Sequence, residues 1–188
     1  MTEDLRFESS VPPTDPSMPP PRRRWWPWIA LVVGIVSVHL LVEILTREAP
    51  NYSRIEPGLY LGGFVPAPPR GTDVVLNLCE TPDPYESRWV PIKDAEPVPD
   101  VAWLREQVAF IEEHRRAGRT VFVHCRNGVS RSGMVVVAHL MARHGWTRDE
   151  ALEKVREQRP IVRPNPAFMR LLGEWEETVR RTPALRDP

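Results

Sequence analysis

The chain has 188 residues, enough for one domain of ordinary size with extensions. Its 25 basic and 25 acidic residues balance, which removes the basic excess that a nucleic-acid partner would require. Two cysteines, Cys79 and Cys125, exclude a disulfide scaffold, and no His/Cys cluster at metal-ligand spacing points to a structural zinc.

Residues 1–24, ending "VPPTDPSMPPPRRR", are polar and proline-rich and have little to bury, which predicts a disordered tail. The next stretch, "WWPWIALVVGIVSVHLLVEIL", spans residues 25–45 and has no fixed charge from Trp25 to Val42. A helix of that length reaches about 30 Å, the thickness of a bilayer's hydrocarbon core. Trp25, Trp26 and Trp28 beside Arg22, Arg23 and Arg24 resemble an interfacial aromatic belt with a basic flank. A cleaved signal peptide would be shorter and end at a small-x-small site, which "EILTREAPN" does not offer. A core helix this apolar, behind a disordered tail, has nothing to pack against. The expectation is one retained transmembrane helix, with His39 and Glu43 near its far end snorkelling toward the interface.

The arginines preceding this span put the N-terminus in the cytoplasm by the positive-inside rule, and the rest of the chain across the membrane. A free thiolate survives best in a reducing compartment, which pulls the other way. The side of the catalytic domain stays open at this point. Residues 46–52 read as a linker, and residues 53–181 as the soluble domain.

In that domain "SRIEPGLYLGG" predicts two short strands around a Pro-Gly turn, and "DVVLNLC" and "RWVPI" predict two more. Val101, Leu104, Val108 and Ile111 share one helical face, with Asp100 as N-cap. "TVFVHC" reads as a buried strand, and "SGMVVVAHLMARHG" as a buried helix closed by Gly145. Thr147 and Glu150 form a capping box for the following helix. Asn165 caps a last helix that has Pro166 at its first position. Strands alternating with helices predict an α/β domain with no internal repeat.

The segment "VFVHCRNGVSRSG", residues 121–133, joins a strand to a helix through a polar turn with a cysteine at one end and an arginine at the other. The free amides and dipole of such a helix favour an anion in the turn. Gly128 lets successive backbone N–H groups converge into a nest, and Arg131 adds a fork for two oxygens of a tetrahedral oxyanion. Cys125 at the mouth of this positive site should be largely thiolate, set for in-line attack on a bound phosphate.

"HCRNGVSRS" resembles the His-Cys-x5-Arg-Ser/Thr loop of the cysteine-dependent protein tyrosine phosphatases. Over roughly residues 52–180 the chain is similar to their dual-specificity branch, through "RIEPGLYLGG", "VPIKD" and "RPIVRPNPAFMRLL" as well. The resemblance implies a small central mixed sheet flanked by helices and a cysteinyl-phosphate mechanism without metal or organic cofactor. Rhodaneses also pair a loop cysteine with amides, but their loop is shorter and the Arg-Ser step fits them poorly.

The same resemblance implies that Cys125 attacks phosphorus while Arg131 and the amides of Arg126, Asn127, Gly128, Val129, Ser130 and Arg131 hold the phosphoryl group. Ser132 helps the intermediate break down, and His124 and Asn165 support the loop. A proton donor is needed for the leaving oxygen, and Asp83, Asp94 and Asp100 are the aspartates upstream. Asp83 sits between prolines in a turn and Asp100 precedes a helix, so both have simpler roles. Asp94 follows a strand directly and corresponds to the family's general acid.

The expected substrate is a phosphorylated protein, with Tyr and Ser/Thr both accepted. A phospholipid head group, phosphatidylglycerophosphate or a phosphoinositide, is the alternative, and a catalytically idle phosphate-binding module is a third reading. Cys79 is a small buried hydrophobe at a strand end. Some similar phosphatases carry a second cysteine there that traps the nucleophile as a disulfide, which makes Cys79 a redox partner in the rival reading.

Overall fold

The computed structural model describes residues 25–46 and 50–182, the side chains of 43–46 excepted. It divides into two compact units, residues 1–48 and 49–188. In the first, helix α1 (Trp26–Thr46) occupies the stretch expected to be helical. The expected membrane span is a different matter: among the described residues, no helix is long and apolar enough to cross a membrane. The expected helix is present, and the expected span is not found among the described residues. The tail over 1–24, with its arginines, and positions 47–49 of the linker lie outside the described residues. The two ends of that linker are not loop, since Thr46 belongs to α1 and Tyr52 opens the first strand.

The second unit carries a five-stranded mixed sheet in the order β1-β2-β5-β3-β4. Strands β1 (Tyr52–Glu56) and β2 (Leu59–Gly62) form an antiparallel hairpin. Its turn is Pro57-Gly58, where proline fixes one φ and Gly58 takes φ 80°, a left-handed value costly for other residues. Strand β5 (Val121–His124) lies between β2 and β3 (Val74–Asn77), parallel to both. All four of its residues are buried, as a strand covered on both faces requires. Register pairs Gly62 and Asn77 with His124, so three strands end on one line at the carboxyl edge of the sheet. Open parallel sheets place their ligands at that edge.

Two strands are shorter than their sequence pattern. Strand β3 stops at Asn77 because the Asn77 side chain turns the chain: its Oδ1 accepts from the Cys79 amide at 2.7 Å and its Nδ2 donates to the Thr81 carbonyl at 3.1 Å. Strand β4 is only Arg88–Trp89. The Val90 amide still reaches the Asn77 carbonyl at 2.9 Å, but Pro91 has no N–H to continue the ladder.

The helices follow their caps. Helix α2 (Val101–Arg116) starts where Asp100 accepts from the Trp103 amide at 2.8 Å. Helix α3 (Arg131–His144) ends at Gly145, φ 69°. Helix α4 (Arg148–Gln158) opens with the Thr147–Glu150 capping box, and α5 (Pro166–Arg181) with the Asn165 side chain on the Phe168 amide at 2.9 Å.

Helix α3 is buried along nearly its whole length, Arg131 through Ala142, and forms the centre of the core. Helix α5 lays Phe168, Leu171, Leu172, Trp175 and Val179 into that core, and the Trp175 indole donates to the Ala138 carbonyl at 2.9 Å. Each fully buried Leu or Phe contributes about 1.5–3 kcal/mol. With so many gathered around α3, the start of that helix is a rigid platform.

Candidate active site

The loop from Cys125 to Ser130 runs from the end of β5 to the start of α3. Its path demands glycine at one point. Gly128 has φ 67°, and a β-carbon there would run into the backbones of Gly62 and Gly63 and the Arg159 guanidinium. The close approach presses the loop against the end of β2, where the Phe64 amide donates to the Arg126 carbonyl at 3.0 Å.

Cys125 is almost fully buried. Burial alone would push its thiol up. The Ser132 hydroxyl and the amides of Ser132, Gly128 and Val129 converge on the sulfur and pull it below the ordinary thiol value. The Ser132 Oγ stands 3.2 Å from the sulfur and 3.3 Å from the Gly62 carbonyl. A hydroxyl has one proton, so it serves either the sulfur or the carbonyl.

Arg131 is equally buried. Its Nη1 donates to the carbonyls of Ile92 at 3.0 Å and Leu78 at 3.4 Å, which fix the guanidinium from the loops after β4 and β3. Its Nε is buried with no hydrogen-bond partner among the described residues. A buried donor without a partner costs about 1–3 kcal/mol, and an oxyanion in the loop would satisfy it. The cleft beside it, about 440 Å³, is lined by Phe64, Cys79, Glu80, Thr81, Arg126, Asn127 and Arg131.

Asp94 sits on the loop's other flank. Ser130 Oγ and Asn165 Nδ2 both donate to its Oδ1, at 2.6 and 2.9 Å, and the Asn165 amide donates to Ser130 Oγ at 3.1 Å. Ser130 therefore spends its hydroxyl on Asp94 and leaves α3 without a side-chain cap. Asn165 braces Asp94 while capping α5, and its backbone N–H reaches Ser130.

Asp100 is an N-cap, as expected. Asp83 has a role that its turn setting did not announce: its Oδ2 lies 3.0 Å from His124 Nε2, with both side chains fully buried. His124 stacks on Phe122, and its Nδ1 faces the Cys79 sulfur at 3.8 Å. Cys79 is pushed up to about 11, first by burial and then by the neighbouring Cys125 charge, so it is a thiol at neutral pH.

Sequence reasoning missed Asp83 as the histidine's partner, Glu80 at 3.8 Å from Arg131, and Arg159 behind the loop. The last two carry no local signal, since their contacts join segments far apart in the chain.

A cysteine softened by amides and a hydroxyl, beside a fixed arginine and a tethered carboxylic acid, is equipped for phosphoryl transfer. Comparison with known proteins agrees. The family model described as "Dual specificity phosphatase, catalytic domain" matches residues 70–178. The chain is 35% identical over 139 residues to dual specificity protein phosphatase 1 of Arabidopsis thaliana, covering 68% of this chain and 70% of that one. It is also 35% identical over 144 residues to protein phosphatase Slingshot homolog 3 of Rattus norvegicus, covering 71% of this chain but only 22% of that longer protein.

Among solved structures, human DUSP28 superposes with a TM-score of 0.63 at 29% identity over 71% of this chain and 97% of that one. PTPMT1, solved in complex with PI(5)P, shares the fold at 22% identity, with a TM-score of 0.63 over 71% and 99% of the two chains. The chain belongs to the dual specificity phosphatase family. Its enzyme class is that of the protein tyrosine and dual-specificity phosphatases.

Proposed function

We propose that this phosphatase hydrolyses phosphoproteins at Tyr and Ser/Thr through a cysteinyl-phosphate intermediate, and that helix α1 holds it at a membrane. The observation that carries the chemistry is the convergence of the Ser132 hydroxyl and three amides on the Cys125 sulfur, next to an arginine with a buried, unpartnered N–H.

The Cys125 thiolate attacks phosphorus in line as the bond to the leaving oxygen breaks, and Asp94 gives that oxygen its proton. Ser130 and Asn165 hold Oδ1, which leaves Oδ2 to carry the proton. In the second half, Asp94 takes a proton from water as the water oxygen attacks the thiophosphate. The sulfur departs as thiolate and receives the Ser132 hydrogen bond. Arg131 and the amides of residues 126–131 hold the equatorial oxygens throughout, and the amides that face sulfur at rest serve the phosphoryl group when it is bound.

The cleft favours protein over polyanionic lipid. Besides Arg131 it carries one cation, Arg126, set against the carboxylate of Glu80. A phosphoinositide or phosphatidylglycerophosphate substrate is the second reading, favoured by the fold shared with PTPMT1 and by the apolar helix. Trp25, Trp28, Ile29, Val32, Val36 and Leu40 of that first unit are all exposed, and such a surface needs lipid or protein to cover it.

Turnover by the full chain decides the substrate. Phosphotyrosyl and phosphothreonyl peptides are compared with PI(5)P and phosphatidylglycerophosphate in vesicles. Peptide kcat/KM is expected to exceed lipid kcat/KM, and the reverse order overturns the protein reading. Flotation with vesicles of the full chain, against a chain lacking residues 1–48, tests the anchor. Equal flotation of both removes α1 as the membrane element. Protease protection in sealed membranes assigns the side on which the catalytic domain lies.

A further inference from the structure

Just past helix α4, Arg159 turns its side chain back toward the catalytic loop. Arg159 is buried, 5% exposed, and two nitrogens of its fork are engaged. Nε donates to the Gly128 carbonyl at 2.8 Å, and Nη2 donates to the Asn127 carbonyl at 3.1 Å and to Asn51 Oδ1 at 2.7 Å. No carboxylate is among these partners.

The two carbonyls are not an arbitrary pair. A trans peptide is planar, with its C=O and N–H pointing in opposite directions. The Asn127 carbonyl belongs to the peptide whose N–H is that of Gly128, and the Gly128 carbonyl to the peptide whose N–H is that of Val129. Those are two of the amides that converge on the Cys125 sulfur. Gripping the oxygens from behind therefore aims the hydrogens in front. The grip is needed, because Gly128 sits at φ 67° and glycine alone leaves the backbone free to turn. Two adjacent carbonyls facing one buried region would also repel each other without a cation between them.

We propose that Arg159 is a positioning residue for the reaction. It locks the 127–128 and 128–129 peptide planes so that their amides face the sulfur and then the phosphoryl oxygens, and its uncompensated charge favours the thiolate from behind. Asn51 is the outer brace that keeps the guanidinium in register. This reading rests on Cys125 as the nucleophile.

The test reads the thiolate without any substrate. In the full chain, the rate of Cys125 alkylation by iodoacetamide is followed against pH in the Cys79→Ser background, and orthovanadate affinity is measured alongside. Arg159→Met is expected to move the alkylation midpoint up by about one unit, which is a tenfold loss of thiolate in the acid limb, and to weaken vanadate binding by a similar factor. Arg159→Lys keeps the charge without the fork and is expected to fall between the two. Asn51→Ala leaves Arg159 in place and is expected to produce a smaller shift in the same direction. An unchanged midpoint and vanadate affinity in folded Arg159→Met or Arg159→Lys overturns the proposal, whatever happens to thermal stability. If Arg159→Met fails to fold, an unshifted Arg159→Lys still overturns it. Absence of any alkylation at Cys125 in the parent would sink the nucleophile assignment instead, and so separates the two failures.

Discussion

Two polar networks stand in the catalytic unit, one half-buried and one buried, and they treat their arginines differently. Away from the catalytic loop, Arg115 donates to Glu56 at 2.7 Å and to the Pro57 carbonyl at 3.0 Å, Arg143 donates to Glu112 at 3.1 Å, and His144 lies 2.7 Å from Glu56. There the cations meet carboxylates. Between them His139 is held near 3, first by burial and then by the charges of Arg115, Arg143 and His144, so it stays neutral.

At the catalytic loop, Arg131 and Arg159 are bonded to main-chain carbonyls and an asparagine. Among the described residues, the acid paired with either is Glu80, at 3.8 Å from Arg131 and more than half exposed. Carbonyls fix an arginine's position without cancelling its charge, whereas carboxylates do both. One network holds the fold together, and the other keeps positive potential in reserve for an anion.

The contrast is broken most severely at its centre. Cys125→Ser is expected to lower kcat by about 10³ or more, because a serine hydroxyl is not ionised in the same nest, while vanadate or phosphopeptide binding persists. Steady-state kinetics with a folded sample, verified by circular dichroism, checks this; a rate within tenfold of the parent would be fatal to the mechanism. Asp94→Asn comes next. It should cost about 10² to 10⁴ on phosphopeptides, and much less on aryl phosphates whose leaving groups need no proton. An equal loss on both would make Asp94 a structural brace for Ser130 and Asn165.

A subtler probe concerns Cys79, whose role as redox partner is proposed rather than observed. Peroxide converts the Cys125 thiolate to a sulfenic acid. The Cys79 sulfur then attacks that sulfur, hydroxide leaves, and it takes up the Cys79 proton to give water and a disulfide. Activity lost to mild peroxide should return with dithiothreitol in the parent and stay lost in Cys79→Ser. Peptide mapping that finds Cys79 free and Cys125 as sulfinic acid in the parent would return Cys79 to the core.

The smallest effect on catalysis belongs to the other network. Burial raises the Glu56 carboxyl, but the hydrogen bonds and charges of Arg115 and His144 outweigh it and hold Glu56 below its ordinary value of 4.5. A carboxyl depressed in the folded state stabilises above its unfolded value, and that contribution is lost as the pH falls through the folded one. Glu56→Gln should lower stability by about 1–3 kcal/mol at neutral pH, with the difference from the parent shrinking in acid, and should leave kcat/KM unchanged. Thermal melts across pH test it. A matching drop in kcat/KM would join the two networks into one.

How much of this was legible in the sequence follows the range of the interactions. The Pro57-Gly58 turn, the Asp100 cap, the Thr147–Glu150 box and the Asn165-Pro166 start are decided within four residues, and all stand where the pattern put them. The loop from Cys125 to Ser132 was also readable, because its amides, arginine and sulfur are consecutive. Strand ends were less so: the Asn77 side chain competes for the backbone and Pro91 removes a donor, and both shorten strands whose apolar pattern runs on. What could not be read was which distant side chain stands behind the loop. Asp83 reaches His124 across 41 positions and Arg159 reaches Asn51 across 108, and neither pair has a spacing that composition or periodicity can register.

The sheet order gives the enzyme a particular history in time. Strand β5, which ends in the nucleophile's neighbour, pairs with β2 and β3 and with no strand adjacent to it in sequence. Long loops must close before that strand has a place, and such closure is slow and comes before any reward from contact. During synthesis, residues 51–124 can emerge and pair while α4 and the Asn165 cap are still inside the ribosome. A chain made only as far as Cys125 therefore has its cysteine but no nest of fixed shape around it. The depressed thiol value of Cys125 belongs to the finished nest, and so becomes a clock hand for folding that moves only once the last third of the chain has docked.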